Sequence, residues 1–312
     1  MDIRRLRYFL QVAEFGSLNA TAEQVNLSQP SLSRQIRLLE EELGVSLFTR
    51  RRDGMVLSRD GLELRTRILG PLRQLEMALD DIKSHSSQIG GSVVFGMPSS
   101  AIDALASSLA KRAEAFPNMA LHIVEGSAGQ MLKSLERGEI DTALLNAPPS
   151  DTKWRCEIED LFIEELVLGG AAGSGLSPEQ PVSVEELAQL PLILPSPPNH
   201  PPPIRTLVDI LSGLTGGKCN FPQYADSFQL TKSYVEAGIG YSIFPYSAVL
   251  HEAEKGTLVY APITGHQLTR HVVLGTYPGG QYPRALERVK GMVRAEAVEL
   301  AERNPSHIQL LF

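Results

Sequence analysis

Pro30, Ser33, Arg34 and Arg37 fall on one side of a helical projection of residues 28–44, SQPSLSRQIRLLEEELG. At about 100° per residue, Leu32, Ile36, Leu39 and Leu43 form a narrow stripe on the other side. A guanidinium presents rigidly placed donors that match guanine O6/N7 and phosphate oxygens. Pro30 suits the first helical turn, where its missing N–H removes no hydrogen bond, and Ser28 ahead of it is a natural cap. Such a helix packs by its inner face and offers its outer face to a DNA major groove. Arg50, Arg51 and Arg52 lie beside Asp53–Gly54, a hairpin-turn signal between Leu47–Phe48 and Val56–Leu57. Three arginines at the tip of a β-wing suit contacts to phosphates or to the minor groove.

Two shorter helices must hold that segment. Leu6, Phe9, Leu10 and Ala13 share one face of the first, which ends at Gly16. Ser17 caps the second, whose inward positions are Leu18, Ala22 and Val25. Helices followed by a wing give winged helix-turn-helix order. Residues 59–88 continue as a long helical pattern in which Leu64, Ile68, Leu72, Leu75, Leu79 and Ile82 recur at heptad-like spacing. A lone helix cannot bury such a seam, which predicts a homodimer. Pro71 cannot donate to the Arg67 carbonyl, so Gly70–Pro71 predicts a kink or local opening.

The chain of 312 residues carries a net charge of −7, which argues against a nucleic-acid partner until it is divided. Residues 1–89 hold 13 basic and 12 acidic side chains, whereas residues 90–312 hold 16 and 24. The basic residues of the N-terminal part are arginines, with Lys83 the one exception. Cys156 and Cys219 stand far apart in no metal or redox spacing, which fits a reduced cytoplasmic setting. The N-terminal segment lacks the pattern of a signal peptide, and no apolar run is long enough to span a membrane.

Beyond the polar hinge Ser84–Gly91, short apolar strands alternate with amphipathic helices. This predicts an α/β architecture with a mostly parallel sheet. Ligands of such sheets settle at the carboxyl ends of strands, near helix N-termini. Met97–Ser100 and Glu125–Gly129 are two such corners. The run PSPPNHPPPIR (195–205) is either a rigid loop or a wall of the cleft, with His200 or Arg205 facing an anion. The last residues, SHIQLLF (306–312), form an apolar tail that covers a groove or joins an oligomer contact. Enzyme motifs fail. GLTGGKC (213–219) has Ser212 and Cys219 where a phosphate loop needs Gly and Ser/Thr, and Lys255 stands where a zinc motif begun by His251–Glu252 needs a second histidine. Glu125 replaces the first glycine of a nucleophile elbow at Ser127.

RRLRYFLQVAEFGSL (4–18), SQPSLSRQIRLLEEELG (28–44) and SLFTRR with the following wing (46–59) resemble LysR-type transcriptional regulators. The resemblance implies that Gln29, Pro30, Ser33 and Arg34 contact double-stranded promoter DNA, with Arg50, Arg51 and Arg52 on the backbone. It departs at Thr21, which precedes Ala22 where relatives often have two alanines. It further implies a winged helix-turn-helix over 1–58, a linker and dimerisation helix over 59–88, and an effector-binding domain over 89–312. That domain is expected to be of periplasmic-binding-protein type, with one subdomain at about 91–162 and 267–303 and the other at about 163–266. A small, anionic effector is expected at Ser99, Ser100 and Ser127, with Asn146 and His200 as further cleft candidates. A dimer, a tetramer built from two dimers, and contact with RNA polymerase are implied; no cofactor, metal or catalytic residue is. Two other classes fit less well. A solute receptor would carry a secretory signal and no arginine-tipped wing, and an enzyme would need a base–nucleophile pair or metal cluster.

Overall fold

The computed structural model describes residues 2–51, 54–83, 91–148, 154–194, 211–213, 216–217, 220–225, 227–265, 268–278 and 283–312. The N-terminal unit opens with α1 (Ile3–Phe15), α2 (Leu18–Gln24) and α3 (Gln29–Leu43). Local chemistry sets their limits. Asp2, Ser17 and Ser28 accept the N–H groups of Arg4, Ala20 and Ser31, and Gly16 and Gly44 close α1 and α3 in the left-handed conformation. Leu6, Phe9 and Val12 share one core with Leu32, Ile36 and Leu39, while Leu10 and Ala13 sit half-buried at its margin. On α2 the inward position expected of Val25 goes to Thr21. It is fully buried, and its hydroxyl donates to the Ser17 carbonyl at 2.7 Å, so the polar atom is satisfied.

β1 (Phe48–Arg51) and β2 (Gly54–Leu57) form the expected antiparallel wing, paired from Phe48↔Leu57 to Arg51↔Gly54. The Met55 N–H donates to the Gly16 carbonyl at 2.8 Å and ties the wing to the end of α1. α4 (Arg59–Lys83) is one helix with Pro71 inside it, so the predicted opening does not break it. The leucine seam divides. Leu64, Ile68 and Leu72 pack on the N-terminal core, whereas Leu75 is exposed. The cause lies at the start of α4, where Ser58 Oγ accepts the Gly61 N–H and Gly61 lies hard against Leu47. A Cβ on Gly61 would stand 2.0 Å from the Leu47 carbonyl oxygen.

The C-terminal part begins β3 (Gly91–Pro98), α5 (Ile102–Ala113), β4 (Met119–Gly126), α6 (Ala128–Glu136), β5 (Thr142–Asn146), with β3 parallel to both β4 and β5. β6 (Glu157–Ala171) follows as a single long strand. Then come β7 (Val182–Ser183), α7 (Val184–Leu187), β8 (Pro191–Leu194), β9 (Asn220–Tyr224), α8 (Phe228–Glu236), β10 (Ser242–Pro245) and α9 (Leu250–Lys255). The chain ends β11 (Leu258–Thr264), β12 (Thr269–Thr276), α10 (Pro283–Arg303), β13 (Ile308–Leu310). The main sheet runs β4-β3-β5-β12-β6-β11-β7, with β10 and β13 also on β6.

The expectation of a mostly parallel sheet is corrected, because β6 is antiparallel to β10, β11, β12 and β13. The chain leaves the first half of the sheet along β6 and returns along β11 and β12, and outgoing and returning strands that pair directly must oppose each other. β6 pairs with β12 over Glu157–Glu165 and with β10 and β11 beyond it. The apolar tail is likewise resolved: β13 pairs with Phe162, Ile163 and Glu164 of the chain's own β6. Phe95, Met97, Leu144, Phe162, Phe244 and Val289 belong to a single core beneath these strands.

Gly61→Ala drives a methyl group into backbone and is expected to lower stability by about 1–3 kcal/mol. Gly291→Ala on α10 meets nothing within 4 Å and is expected to raise it by about 0.5–1 kcal/mol through helix propensity. Urea unfolding of both variants checks the contrast, and equal effects would contradict the packing at Leu47.

Candidate nucleic-acid interface and effector cleft

α3 buries Leu32, Ile36 and Leu39 and leaves the opposite face open; Leu43, expected on the same stripe, is exposed in the last turn of the helix. Pro30, Arg34, Arg37 and Glu41 are exposed, and with Gln29, Ser33 and Leu38 they line an open groove along the helix. The predicted contacts Gln29, Pro30, Ser33 and Arg34 thus share one surface at the N-terminal end of α3. Arg50 and Arg51 sit on β1 opposite Met55 and Gly54, at the turn end of the wing; Arg52 lies outside the described residues. Sequence reasoning missed what joins helix to wing. One oxygen of the Glu40 carboxylate accepts the Leu47 N–H at 2.7 Å and the Phe48 N–H at 3.3 Å. Arg5 pairs with Glu42 at 3.0 Å and fixes α1 against the end of α3. Three consecutive glutamates give no sequence signal of which one turns inward.

The second site is an edge. Pro98 is the partner of Gly126 in the parallel register of β3 and β4, so Ser99 and Ser127 leave the sheet side by side. β5 ends at the same edge in Asn146, whose partner on β12 is Val272; Arg270 lies just beyond. Strand order therefore lines up Ser127, Ser99–Ser100, Asn146 and Arg270 along one carboxyl edge. Two tight turns face each other there, Ser99–Ala101 after Pro98 and Tyr246–Ala248 after Pro245. Their leading prolines share one conformation, at φ −64°, ψ 143° and φ −58°, ψ 140°.

A chain of hydrogen bonds crosses between these turns. Arg270 Nη1 donates to Ser100 Oγ at 2.8 Å, and its Nε pairs with Glu164. Glu164 is fully buried on β6, and its other oxygen accepts the Ser247 N–H at 3.0 Å. Pro98, Ala101, Asn146, Phe162, Ser247 and Arg270 help to line a cavity of about 10 Å³. That is room for about one water, so an organic ligand requires the turns to part. Ser127 is exposed and acts as the cap of α6, accepting the Gln130 N–H at 3.3 Å while Gln130 Oε1 accepts its own N–H at 2.8 Å. It shares the edge but not the cavity. His200 lies outside the described residues. Arg270, Glu164 and Ser247 were missed; a glutamate in the middle of an apolar strand was the available clue.

A second bridge lies behind the turns. Lys232 of α8 is fully buried and donates to Asp103 Oδ2 in the first turn of α5 at 2.7 Å and to Glu252 Oε1 in α9 at 2.8 Å. The C-terminal strand adds a third contact. His307 stacks on Tyr246 with ring centroids 4.0 Å apart, and its Nδ1 lies 2.7 Å from Glu165 Oε2. Burial pushes the Tyr246 phenol well above its usual value; its hydroxyl donates to Asn304 Oδ1 at 3.0 Å. Among the described residues there is no group of side chains arranged to hold a metal, and no helix long and apolar enough to cross a membrane.

Two family descriptions match the chain: "LysR substrate binding domain" over residues 86–298 and "Bacterial regulatory helix-turn-helix protein, lysR family" over residues 3–62. The chain is 30% identical over 254 residues to the nitrogen assimilation regulatory protein nac of Escherichia coli, covering 80% of this chain and 79% of that protein. It is 25% identical over 303 residues to the hydrogen peroxide-inducible genes activator of Haemophilus influenzae, covering 97% and 99%. In fold it is similar to full-length CbnR complexed with its target DNA, at a TM-score of 0.71 and 21% identity over 95% of this chain and all of that one.

Removing the Lys232 ammonium leaves the mostly buried Glu252 carboxylate without its counter-charge. Lys232→Met is expected to lower the unfolding free energy by about 3 kcal/mol, and adding Glu252→Gln to restore much of it. A single variant as stable as the parent in urea would contradict a structural bridge.

Proposed function

Because the chain belongs to the LysR family of DNA-binding transcriptional regulators with an effector-binding domain, we propose that its effector is a small carboxylate held along the Ser99–Asn146 edge. The ligand enters between the two turns, takes hydrogen bonds from Ser99, Ser100 and Asn146, and takes over the Arg270 donor now given to Ser100. Ser127 extends the same edge. The observation that carries this reading is the register: four neighbouring strands deliver Ser127, Ser99–Ser100, Asn146 and Arg270 to one line. Helical turns starting there add N–H groups suited to an anion.

On DNA, Arg34 reads guanine O6/N7 beside Gln29, Pro30 and Ser33, while Arg50, Arg51 and Arg52 neutralise phosphates. The remainder of the α4 seam, from Leu75 onward, joins two chains into a homodimer that reads two half-sites. Two dimers form the tetramer, and the promoter-bound assembly contacts RNA polymerase in the cytoplasm. Effector-dependent parting of the turns changes which half-site spacing the pair accepts.

Two measurements test this. A thermal-shift panel of small carboxylates and amino-acid derivatives is expected to contain a ligand that raises Tm by mass action, and Ser100→Ala to weaken it by about 3- to 10-fold. No stabilising carboxylate, or one indifferent to Ser100→Ala and Asn146→Ala, would contradict the site. On a duplex selected from a random library by the protein, Arg34→Ala is expected to cost about 1–3 kcal/mol and to relax one base position. Arg50→Ala is expected to weaken all sequences alike and to reduce the salt slope by about one. The reverse pattern would exchange the two roles.

A further inference from the structure

Gly70–Pro71 is a weak point of α4 whose purpose the sequence leaves open, and the structure places three things at it. First, Gly70 is buried against the segment that follows α6. A Cβ on it would stand 1.9 Å from the Arg137 carbonyl oxygen and 3.2 Å from the Gly138 carbonyl carbon. Only a residue without a side chain allows two backbones so close. Second, Pro71 has no N–H, so the helical ladder lacks its bond to the Arg67 carbonyl at this level. Third, Leu72 is 6% exposed and belongs to the core that holds α1 and α3. Within three residues, α4 touches the effector-binding domain, loses a hydrogen bond, and contributes to the DNA-binding core.

The segment that meets Gly70 leads straight to the effector edge. α6 starts at its cap Ser127 and ends at Glu136, followed by Arg137. Nine residues of helix make a rod about 13 Å long. Met131 and Leu135 bury its inner face against Ile140, Ala143 and Val273, so the rod moves with the first half of the sheet. We propose that α6 is a strut and Gly70–Pro71 the joint it presses, so that a shift at the Ser127 corner tilts α4 and with it the winged helix. The assignment of an effector to that corner rests on the function proposed above; the strut and joint themselves stand on the packing of α6 and α4.

Coupling between two sites is reciprocal, so DNA can serve as the probe in place of the effector. The experiment is hydrogen exchange by mass spectrometry on the full chain, with and without the duplex it selects from a random library. In the parent protein, duplex is expected to change exchange over residues 128–140 by about fivefold or more. Gly70→Ala, which forces the two backbones apart, is expected to keep duplex affinity within a few-fold and to lose that response. Pro71→Ala meets the case in which Gly70→Ala does not fold. Pro71 is exposed, and alanine restores the donor to Arg67, so exchange over 67–72 should slow and the response over 128–140 should shrink. Unchanged exchange over 128–140 in the parent, or an undiminished response in both variants, overturns the proposal. No effector takes part, so this result is independent of the carboxylate panel, and failure of either reading is seen separately.

Discussion

A carboxylate with no access to water must be answered by charge and hydrogen bonds, and much of the effector-binding domain is arranged around the answer to Glu164. Left alone in the interior, that group would carry a penalty of several kcal/mol. Its two oxygens are met by Arg270 from β12 and by the Ser247 N–H at the start of a helical turn. Arg270 is thereby aimed at Ser100, across the cleft from Ser247. The two turns face one another because one buried charge requires both of its partners. Lys232 repeats the logic one layer behind, holding Asp103 of α5 and Glu252 of α9 on a single ammonium. On the function proposed above, a competing carboxylate offers the same donors an alternative partner.

β6 makes the closure mechanical. One strand pairs with β12 along its first part and with β10 and β11 along its second, so both halves of the sheet turn about the same backbone. Glu164 sits next to that change of partners, and so does the C-terminal strand. β13 covers Phe162–Glu164, while His307 reaches Glu165 and stacks on Tyr246, the residue before Ser247. The tail therefore braces the crossing region rather than hanging free of it.

What the sequence disclosed follows from which forces are periodic. The α3 stripe, the caps Ser17 and Ser28, and the alternation of the two wing strands are local, and these elements formed where local chemistry places them. Strand direction is not local. Alternating strands and helices read as parallel, and nothing in residues 157–171 announces that their neighbours run the other way. Partnerships across long separations were equally silent: Glu40 with the wing, Glu164 with Arg270, Lys232 with Asp103. The tail was unreadable for a different reason. Its apolar pattern suits any exposed strand edge, and only the assembled sheet shows that β6 has one to offer. Ser99, Ser127 and Asn146 were legible as a set because carboxyl ends of parallel strands converge by construction.

The seam of α4 is split between the DNA-binding core, which takes Leu64, Ile68 and Leu72, and an exposed Leu75. If all of the stripe were a dimer contact, the winged helices would hang from it on a short tether and swing freely. Because Leu64 and Ile68 before Pro71 and Leu72 just after it pack on the DNA-binding core, α1, α3 and the wing are joined to the first half of α4. Glu40 and Arg5 tighten that body further. The helical ladder is already incomplete at Pro71, at the margin of that core. The stretch from there to the end of α4 is about 20 Å long. A tilt of about 10° at one end displaces the other by roughly 3.4 Å, the rise of one base pair. On the function proposed above, a dimer that reads two half-sites would convert such a step into a change of register.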